Sequence, residues 1–291
     1  MTMSTIGRVS AQQLKARLGD GSELALIDVR EAGQFGESHL LFATPLPYSR
    51  LELDVFNLLP RLNARVVVCD DGASGTAALA AAKLVELGYS NVALLAGGIA
   101  AWRAGGLGLF RGVNVPSKTL GELVEHACHT PRITAEELVR MQEAKENFIV
   151  VDGRPFAEYT KMNIPGGICC PNAELPYRIA TMAPDPATKI VVNCAGRTRS
   201  IIGAQTLINF GVPNPVVALE NGTQGWYLAD LKLEKQATRR YPDNINATTL
   251  PALQASAQKL MQRFGVRVVE AAEVAAWLRD DTRTTHLCDV R

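Results

Sequence analysis

The stretch Ile190-Val191-Val192-Asn193-Cys194-Ala195-Gly196-Arg197-Thr198-Arg199-Ser200-Ile201-Ile202 decides how this chain is read. Its β-branched run reads as a buried strand that ends at a cysteine. Ala195 and Gly196, then Arg197 and Arg199, make a tight basic loop. Ile201, Ile202, Ala204, Leu207 and Ile208 follow at helical spacing. A helix that starts after such a loop presents its positive end and unpaired amides to it. The small residues let successive N–H groups turn inward as an anion nest. Together with the two arginines, these features favour a thiolate, the reactive form of cysteine, and an oxyanion beside it.

Working outward, the chain repeats itself. Ile27-Asp28-Val29-Arg30 recurs as Val151-Asp152-Gly153-Arg154 at an offset of 124, and Val68-Cys69 recurs as Asn193-Cys194 at 125. Gly97-Gly98-Ile99-Ala100-Ala101-Trp102 returns as Asn221-Gly222-Thr223-Gln224-Gly225-Trp226, with the tryptophans 124 apart. Three markers in one order at nearly one offset indicate a duplicated domain, since a solenoid repeats at a much shorter period. Capping boxes open both copies, at Ser10-Ala11-Gln12-Gln13 and Thr134-Ala135-Glu136-Glu137.

In the first copy, strands are expected over 24–29, 65–69 and 92–95, with a short, proline-containing edge strand within 40–48. A helix is expected over 76–87, stopped by Gly88. Alternation of strands and helices argues for an α/β fold with a mostly parallel sheet covered on both faces. Sites in such sheets gather at the carboxyl ends of strands, where Asp28, Cys69 and Gly97 fall in one copy and Asp152, Cys194 and Gly222 in the other.

These boundaries divide the chain into a first copy at 1–112, a connection at 113–131, a second copy at 132–234 and a tail at 235–291. The tail reads as a charged linker, a helix over 257–264, a strand over 266–269, a helix over 270–279 and Leu287-Cys288-Asp289-Val290-Arg291, another Asp-x-Arg ending. It resembles the opening of a third copy, which predicts a piece of a longer multi-repeat protein.

Composition narrows the function classes. A length of 291 residues suits about two domains. Net charge of +1 gives no global drive toward nucleic acid or an anionic membrane. No apolar run approaches the ~18 residues of a membrane span, and the opening Met-Thr-Met-Ser-Thr-Ile-Gly-Arg has no secretory core. Cys69, Cys128, Cys169, Cys170, Cys194 and Cys288 are scattered, so free thiols in a reducing cytoplasm are expected.

The first-copy loop reads Cys69-Asp70-Asp71-Gly72-Ala73-Ser74-Gly75. Carboxylates replace arginines, so the local charge disfavours a thiolate and repels an anion. Cys69 is therefore expected to be a packed core cysteine or a degenerate, weak site.

A strand, Cys-x4-Arg-Ser, then a helix, preceded by Asp-x-Arg and followed by a Gly-rich turn with Trp, resembles the rhodanese family across both copies and the tail. The resemblance implies tandem rhodanese-like domains. It also implies a thiosulfate sulfurtransferase that needs no metal or organic cofactor. Cys194 would be the nucleophile, the amides of Ala195, Gly196, Arg197, Thr198, Arg199 and Ser200 would cradle persulfide and donor, and Arg199 would be the loop arginine. The implied partners are a small anionic sulfur donor and a cyanide or thiol acceptor, a thiol protein included. The loop departs from the commoner Cys-x-x-Gly order at Gly196 and Arg197.

A rival is a cysteine phosphatase or arsenate reductase, but that class resembles His-Cys-x5-Arg, whereas Asn193 precedes Cys194 and Arg199 lies five residues after it. A non-catalytic rhodanese-like binding module is the other alternative. Asp152 and Arg154 are supporting candidates, with Arg154 facing the site or paired to Asp152 or Glu158. His126-Ala127-Cys128-His129 lacks the three or four spaced ligands of a metal site. Cys169-Cys170 reads either as a resolving thiol or as two ordinary semi-buried cysteines. His39 and its counterpart Asn163 read as structural.

Overall fold

The computed structural model describes residues 6–244 and 248–289. These form two compact units, one of residues 6–116 with 269–288 and the other of residues 117–244 with 248–268 and 289.

The first unit runs β1 (Gly7–Val9), α1 (Ala11–Leu18), β2 (Ala25–Asp28), α2 (Ala32–Glu37), β3 (Thr44–Pro45), α3 (Leu51–Leu58), β4 (Val66–Cys69), α4 (Thr76–Glu86), β5 (Val92–Leu95) and α5 (Gly98–Ala104). After α6 (Val115–Cys128) the pattern restarts with β6 (Arg132–Ile133), α7 (Ala135–Glu143), β7 (Phe148–Asp152), α8 (Phe156–Lys161) and β8 (Ile168–Cys169). It closes with α9 (Leu175–Met182), β9 (Lys189–Asn193), α10 (Thr198–Phe210), β10 (Val216–Leu219) and α11 (Gly222–Leu228). The sheets have the same order, β1-β5-β4-β2-β3 and β6-β10-β9-β7-β8, with every pairing parallel.

Both faces of each sheet are covered, as the continuous apolar strands require. In the second unit, Val151, Ile190 and Val192 point to one face, under Ile179, Ile201 and Leu207. Val150 and Val191 point to the other, under Leu138 and Trp226. Both expected capping boxes form: the Ser10 and Thr134 hydroxyls accept from the amides of Gln13 and Glu137, whose side chains reach back to the cap amides. The duplication extends to single bonds. Trp102 Nε1 donates to the Gly108 carbonyl at 2.9 Å, and Trp226 Nε1 to that of Lys232 at 3.0 Å. The backbone amide of His39 donates to the Phe110 carbonyl at 2.9 Å and that of Asn163 to the Glu234 carbonyl at 2.8 Å, the same structural place in both copies.

Differences from expectation lie between and after the copies. The connection at 113–131 is mostly the 14-residue α6. Part of the charged stretch at 235–246 runs beside β8, where Cys169 N donates to the Arg239 carbonyl and Tyr241 N to that of Cys169. Ala237 is buried there with Tyr159 and Cys169. The tail forms α12 (Leu250–Arg263) and α13 (Ala271–Arg279), but residues 266–269 carry no strand. Val266 and Val268 are solvent-exposed with no ladder partner, and a lone strand leaves its amides and carbonyls unpaired. Residues 286–289 are also irregular, and Val290 and Arg291 of the third Asp-x-Arg lie outside the described residues. In the first unit, the Glu23 carboxylate pairs with Arg61 at 2.9 Å and accepts from the Thr284 amide at 2.9 Å.

Candidate active site

The strand β9 ends at Asn193 and α10 starts at Thr198, so only four residues make the turn between them. Cys194 opens this turn, 2% exposed, and its Sγ lies 3.1 Å from the Ser200 hydroxyl. That hydroxyl is itself 3.2 Å from the Arg197 carbonyl, which can only accept. With a neutral thiol, S–H can donate to the serine while the serine donates to the carbonyl. With a thiolate, the serine proton must turn to sulfur. Among the described residues, none of the backbone amides of residues 195–200 donates to a protein acceptor. These open N–H groups lie at the positive end of a 13-residue helix, an arrangement that suits a negative charge.

The two loop arginines do not stand as free cations over the sulfur. Arg199 is held in a fork by Glu158, with Nη1 and Nη2 at 2.9 and 2.8 Å from the carboxylate oxygens. The arginine's hydrogen bonds to Glu158 hold that carboxyl below the usual range, despite partial burial. Arg197 turns to α6, with Nε 3.1 Å from Glu122 and Nη2 on Glu125. Gly121 lets α6 approach, since a Cβ there would lie 3.1 Å from Thr198 Cα. The open polar groups of the loop are thus its backbone amides, while both arginines are tied to carboxylates.

Asp152 and Arg154 form a buried ion pair at 2.7 Å, with side chains 1% and 3% exposed. Arg154 Nη2 also donates to the Met162 carbonyl at 2.6 Å, and Asn193 Nδ2 to Asp152 at 2.8 Å. Asp28, Arg30 and the Ser38 carbonyl repeat this arrangement in the first unit. Arg154 therefore pairs with Asp152, and Glu158, its other candidate partner, serves Arg199. Asn172, which the sequence reading missed, donates to the Arg199 carbonyl at 2.8 Å and from its own amide to the Gly153 carbonyl at 3.2 Å. It has no motif. Only the folded loop reveals it.

Strand register corrects the match between copies. Asp28 stands opposite Cys69, and Asp152 opposite Asn193. Ile99 N donates to the Asp70 carbonyl at 2.9 Å, and Thr223 N to that of Cys194 at 2.8 Å. The counterpart of Cys194 is therefore Asp70, while Cys69 corresponds to Asn193. Cys69 and Cys194 thus stand one residue apart in the register of the two copies. Asp70 accepts from the amides of Gly72 at 2.8 Å and Ala77 at 2.9 Å and from the Ser74 hydroxyl at 3.1 Å. Asp71 takes the amides of Ala73 and Ser74, both at 2.8 Å. The first-copy nest is filled by the chain's own carboxylates. Burial, with Asp28 nearby, pushes the Cys69 thiol well above the ordinary range.

Other candidates fall away from this site. Cys169 and Cys170 are pushed up by burial to about 11 and about 12, which makes them poor resolving thiols at neutral pH. Among the described residues no group of three or more His, Cys, Asp or Glu side chains is placed to hold a metal. No described helix is long and apolar enough to cross a membrane. A cleft of about 540 Å³ opens beside the loop, lined by Ala195, Glu158, Met162, Tyr227, Leu233, Lys161 and Lys235 among others.

Comparison with known proteins agrees with this architecture. The chain superposes on a crystal structure titled thiosulfate sulfurtransferase from Pseudomonas aeruginosa with a TM-score of 0.93 and 49% identity, covering 98% of this chain and 54% of that one. It is 36% identical over 105 residues to the HTH-type transcriptional regulator Rv0324 of Mycobacterium tuberculosis, matching 36% of this chain and 45% of that protein. A protein named sulfurtransferase from Allochromatium vinosum is 28% identical over 102 residues, 35% of this chain and 92% of that one. The chain thus spans about half the length of the solved structure it superposes on. The rhodanese-like domain model matches residues 10–105 and again 134–229, so the chain belongs to the rhodanese-like family, with two copies of the domain in tandem.

Proposed function

We propose that this chain is a sulfurtransferase that moves sulfane sulfur from thiosulfate or a similar donor to a thiophilic acceptor, cyanide or a thiol, through a persulfide on Cys194. One contrast carries the reading. The amides of residues 195–200 stand beside Cys194 unpaired, whereas in the first-copy loop Asp70 and Asp71 take the amides of Gly72, Ala73, Ser74 and Ala77. The names of the Pseudomonas and Allochromatium proteins support the same reaction class.

In the first half-reaction the Cys194 thiolate attacks the outer sulfur of thiosulfate. A new S–S bond forms at Cys194, the donor's S–S bond breaks, and sulfite leaves with the electron pair. The amides stabilise negative charge on the terminal sulfur as they would any oxyanion. In the second half-reaction the acceptor attacks that sulfur, and Cys194 departs as thiolate with Ser200 positioned to donate to it. Splitting the transfer in this way predicts ping-pong kinetics. A reducing cytoplasm would keep the resting thiol available.

The test is intact mass after incubation with thiosulfate. A gain of one sulfur atom that cyanide removes, absent in Cys194→Ser, is expected. A protein that gains no sulfur yet hydrolyses an aryl phosphate would belong instead to the phosphatase class.

A further inference from the structure

We propose that the cleft beside Cys194 is the acceptor site, and that it selects an aliphatic thiol bearing a carboxylate. This rests on the sulfur-transfer reading above. A volume of about 540 Å³ falls in the range of pockets that enclose whole organic ligands, and far exceeds what cyanide or thiosulfate fills. Ala195, next in the chain to Cys194, and Thr223, whose amide holds the Cys194 carbonyl, both line it. A ligand in the cleft therefore lies against the residue that follows Cys194 and the one that holds its carbonyl.

The walls state the ligand's chemistry. Met162, Leu233 and Tyr227 supply apolar surface, and Tyr227 is 67% exposed as it stands. Lys161 and Lys235 also line the cleft, and among the described residues neither forms an ion pair, although Lys161 helps to lower the Glu158 pKa from a distance. With Arg154 paired to Asp152, and Glu158 bonded to Arg199 and felt more weakly by Lys161, the lining carries an excess of cationic charge from Lys161 and Lys235 beside apolar walls. That combination fits a methylene stem with an anionic end, its thiol directed to Cys194.

The first copy is built differently at the same positions. Arg103 replaces Tyr227 and Ser38 replaces Met162, and the arginine donates across to the Ser38 hydroxyl at 3.5 Å. Glu37 stands where Lys161 does.

The transfer itself balances without another reactant. The acceptor thiolate attacks the terminal persulfide sulfur, the Cys194 S–S bond breaks, and the products are an acceptor persulfide and the Cys194 thiolate.

The test uses the whole chain, charged with thiosulfate, and a set of acceptors: 3-mercaptopropionate, 6-mercaptohexanoate and 6-mercaptohexanol. Persulfide formation is checked first by mass. We expect kcat/KM to rise about three- to fourfold per added methylene, and the hexanoate to exceed the hexanol by about three- to tenfold at low salt. In Lys161→Ala/Lys235→Ala the hexanoate-to-hexanol ratio should fall to about one. Failure to form any persulfide would overturn the sulfur-transfer reading, and this inference with it. A normal persulfide with a wild-type ratio of one, or a ratio that survives the double substitution, would overturn the acceptor site alone.

Discussion

Asp70 and Cys194 occupy the same place in their respective copies, each with its carbonyl held by the second residue of the following short helix, Ile99 or Thr223. One position thus carries a carboxylate that fills its own nest and, in the other copy, a thiol beside an open one. Sulfur uptake should therefore be one atom per chain and persist in Cys69→Ala. Asp70→Ala should not create a second site, because it supplies no nucleophile. It should instead destabilise the first unit by about 1–3 kcal/mol, since two amides lose their acceptor. Urea midpoints and intact mass check both halves, and two sulfurs per wild-type chain would refute the division of labour.

Much of this was legible in the sequence, because the physics that writes it is local. Strand runs such as Val66-Val67-Val68 and Ile190-Val191-Val192 announce a parallel sheet buried on both faces, and the capping boxes mark where each copy begins. Register was less legible. Cys69 and Cys194 are the same residue type at nearly the same offset, and only the pairing of Asp28 with Cys69 against Asp152 with Asn193 separates them. The partners of Arg197 and Arg199 were illegible for another reason. Glu122, Glu125 and Glu158 lie 41 to 75 residues away in sequence, and no local pattern links a carboxylate to a loop cation at that distance.

The Arg199–Glu158 fork should make the second unit's stability depend on pH in a defined window. Glu158 has its folded pKa depressed below the ordinary 4.5, chiefly by the hydrogen bonds from Arg199. A depressed carboxylate contributes stability that is fully present above about 4.5 and is lost as pH falls through the lower folded value. The stability gap between wild type and Glu158→Gln should therefore be widest near neutrality and close on acidification below about pH 4.5. A gap independent of pH would show that the ion pair does not hold the loop. The same variant releases a guanidinium near Cys194, so anionic iodoacetate should gain on neutral iodoacetamide as an alkylating agent.

Arg154 tests whether the Asp-x-Arg signature is architecture or chemistry. Its pair with Asp152 is almost fully buried and tied to the Met162 carbonyl. Removing one member of such a pair strands a charge, at a cost of about 3–5 kcal/mol. Arg154→Ala and, in the other unit, Arg30→Ala should each destabilise by that order. Lysine should rescue neither, because it cannot span both Asp oxygens and the carbonyl as the fork does. Losses under about 1 kcal/mol by chemical denaturation would rule out this structural role.

Gly222 is where the backbone of the site is least forgiving. It sits at φ +52, and a Cβ there would lie 2.2 Å from the Cys194 carbonyl oxygen and 2.8 Å from that of Gly196. Neither atom can retreat cheaply. The Cys194 carbonyl is held by the Thr223 amide, and moving it would swing the whole turn that aims the amides of residues 195–200. A left-handed conformation alone costs a non-glycine residue about 1–2 kcal/mol, and the backbone clash adds to it. Gly222→Ala should thus lower stability by more than about 2 kcal/mol and slow persulfide formation by at least tenfold in whatever fraction remains folded. Gly98→Ala meets the same obstruction against the Asp70 carbonyl, at 2.5 Å, and should destabilise similarly. Because that damage falls in the copy whose nest is already filled, sulfur uptake per folded chain should stay at one. Comparing the two alanine variants by denaturation and by mass therefore separates the strain of the turn from its chemistry, and equal loss of sulfur uptake in both would contradict the assignment of Cys194 as the reacting thiol.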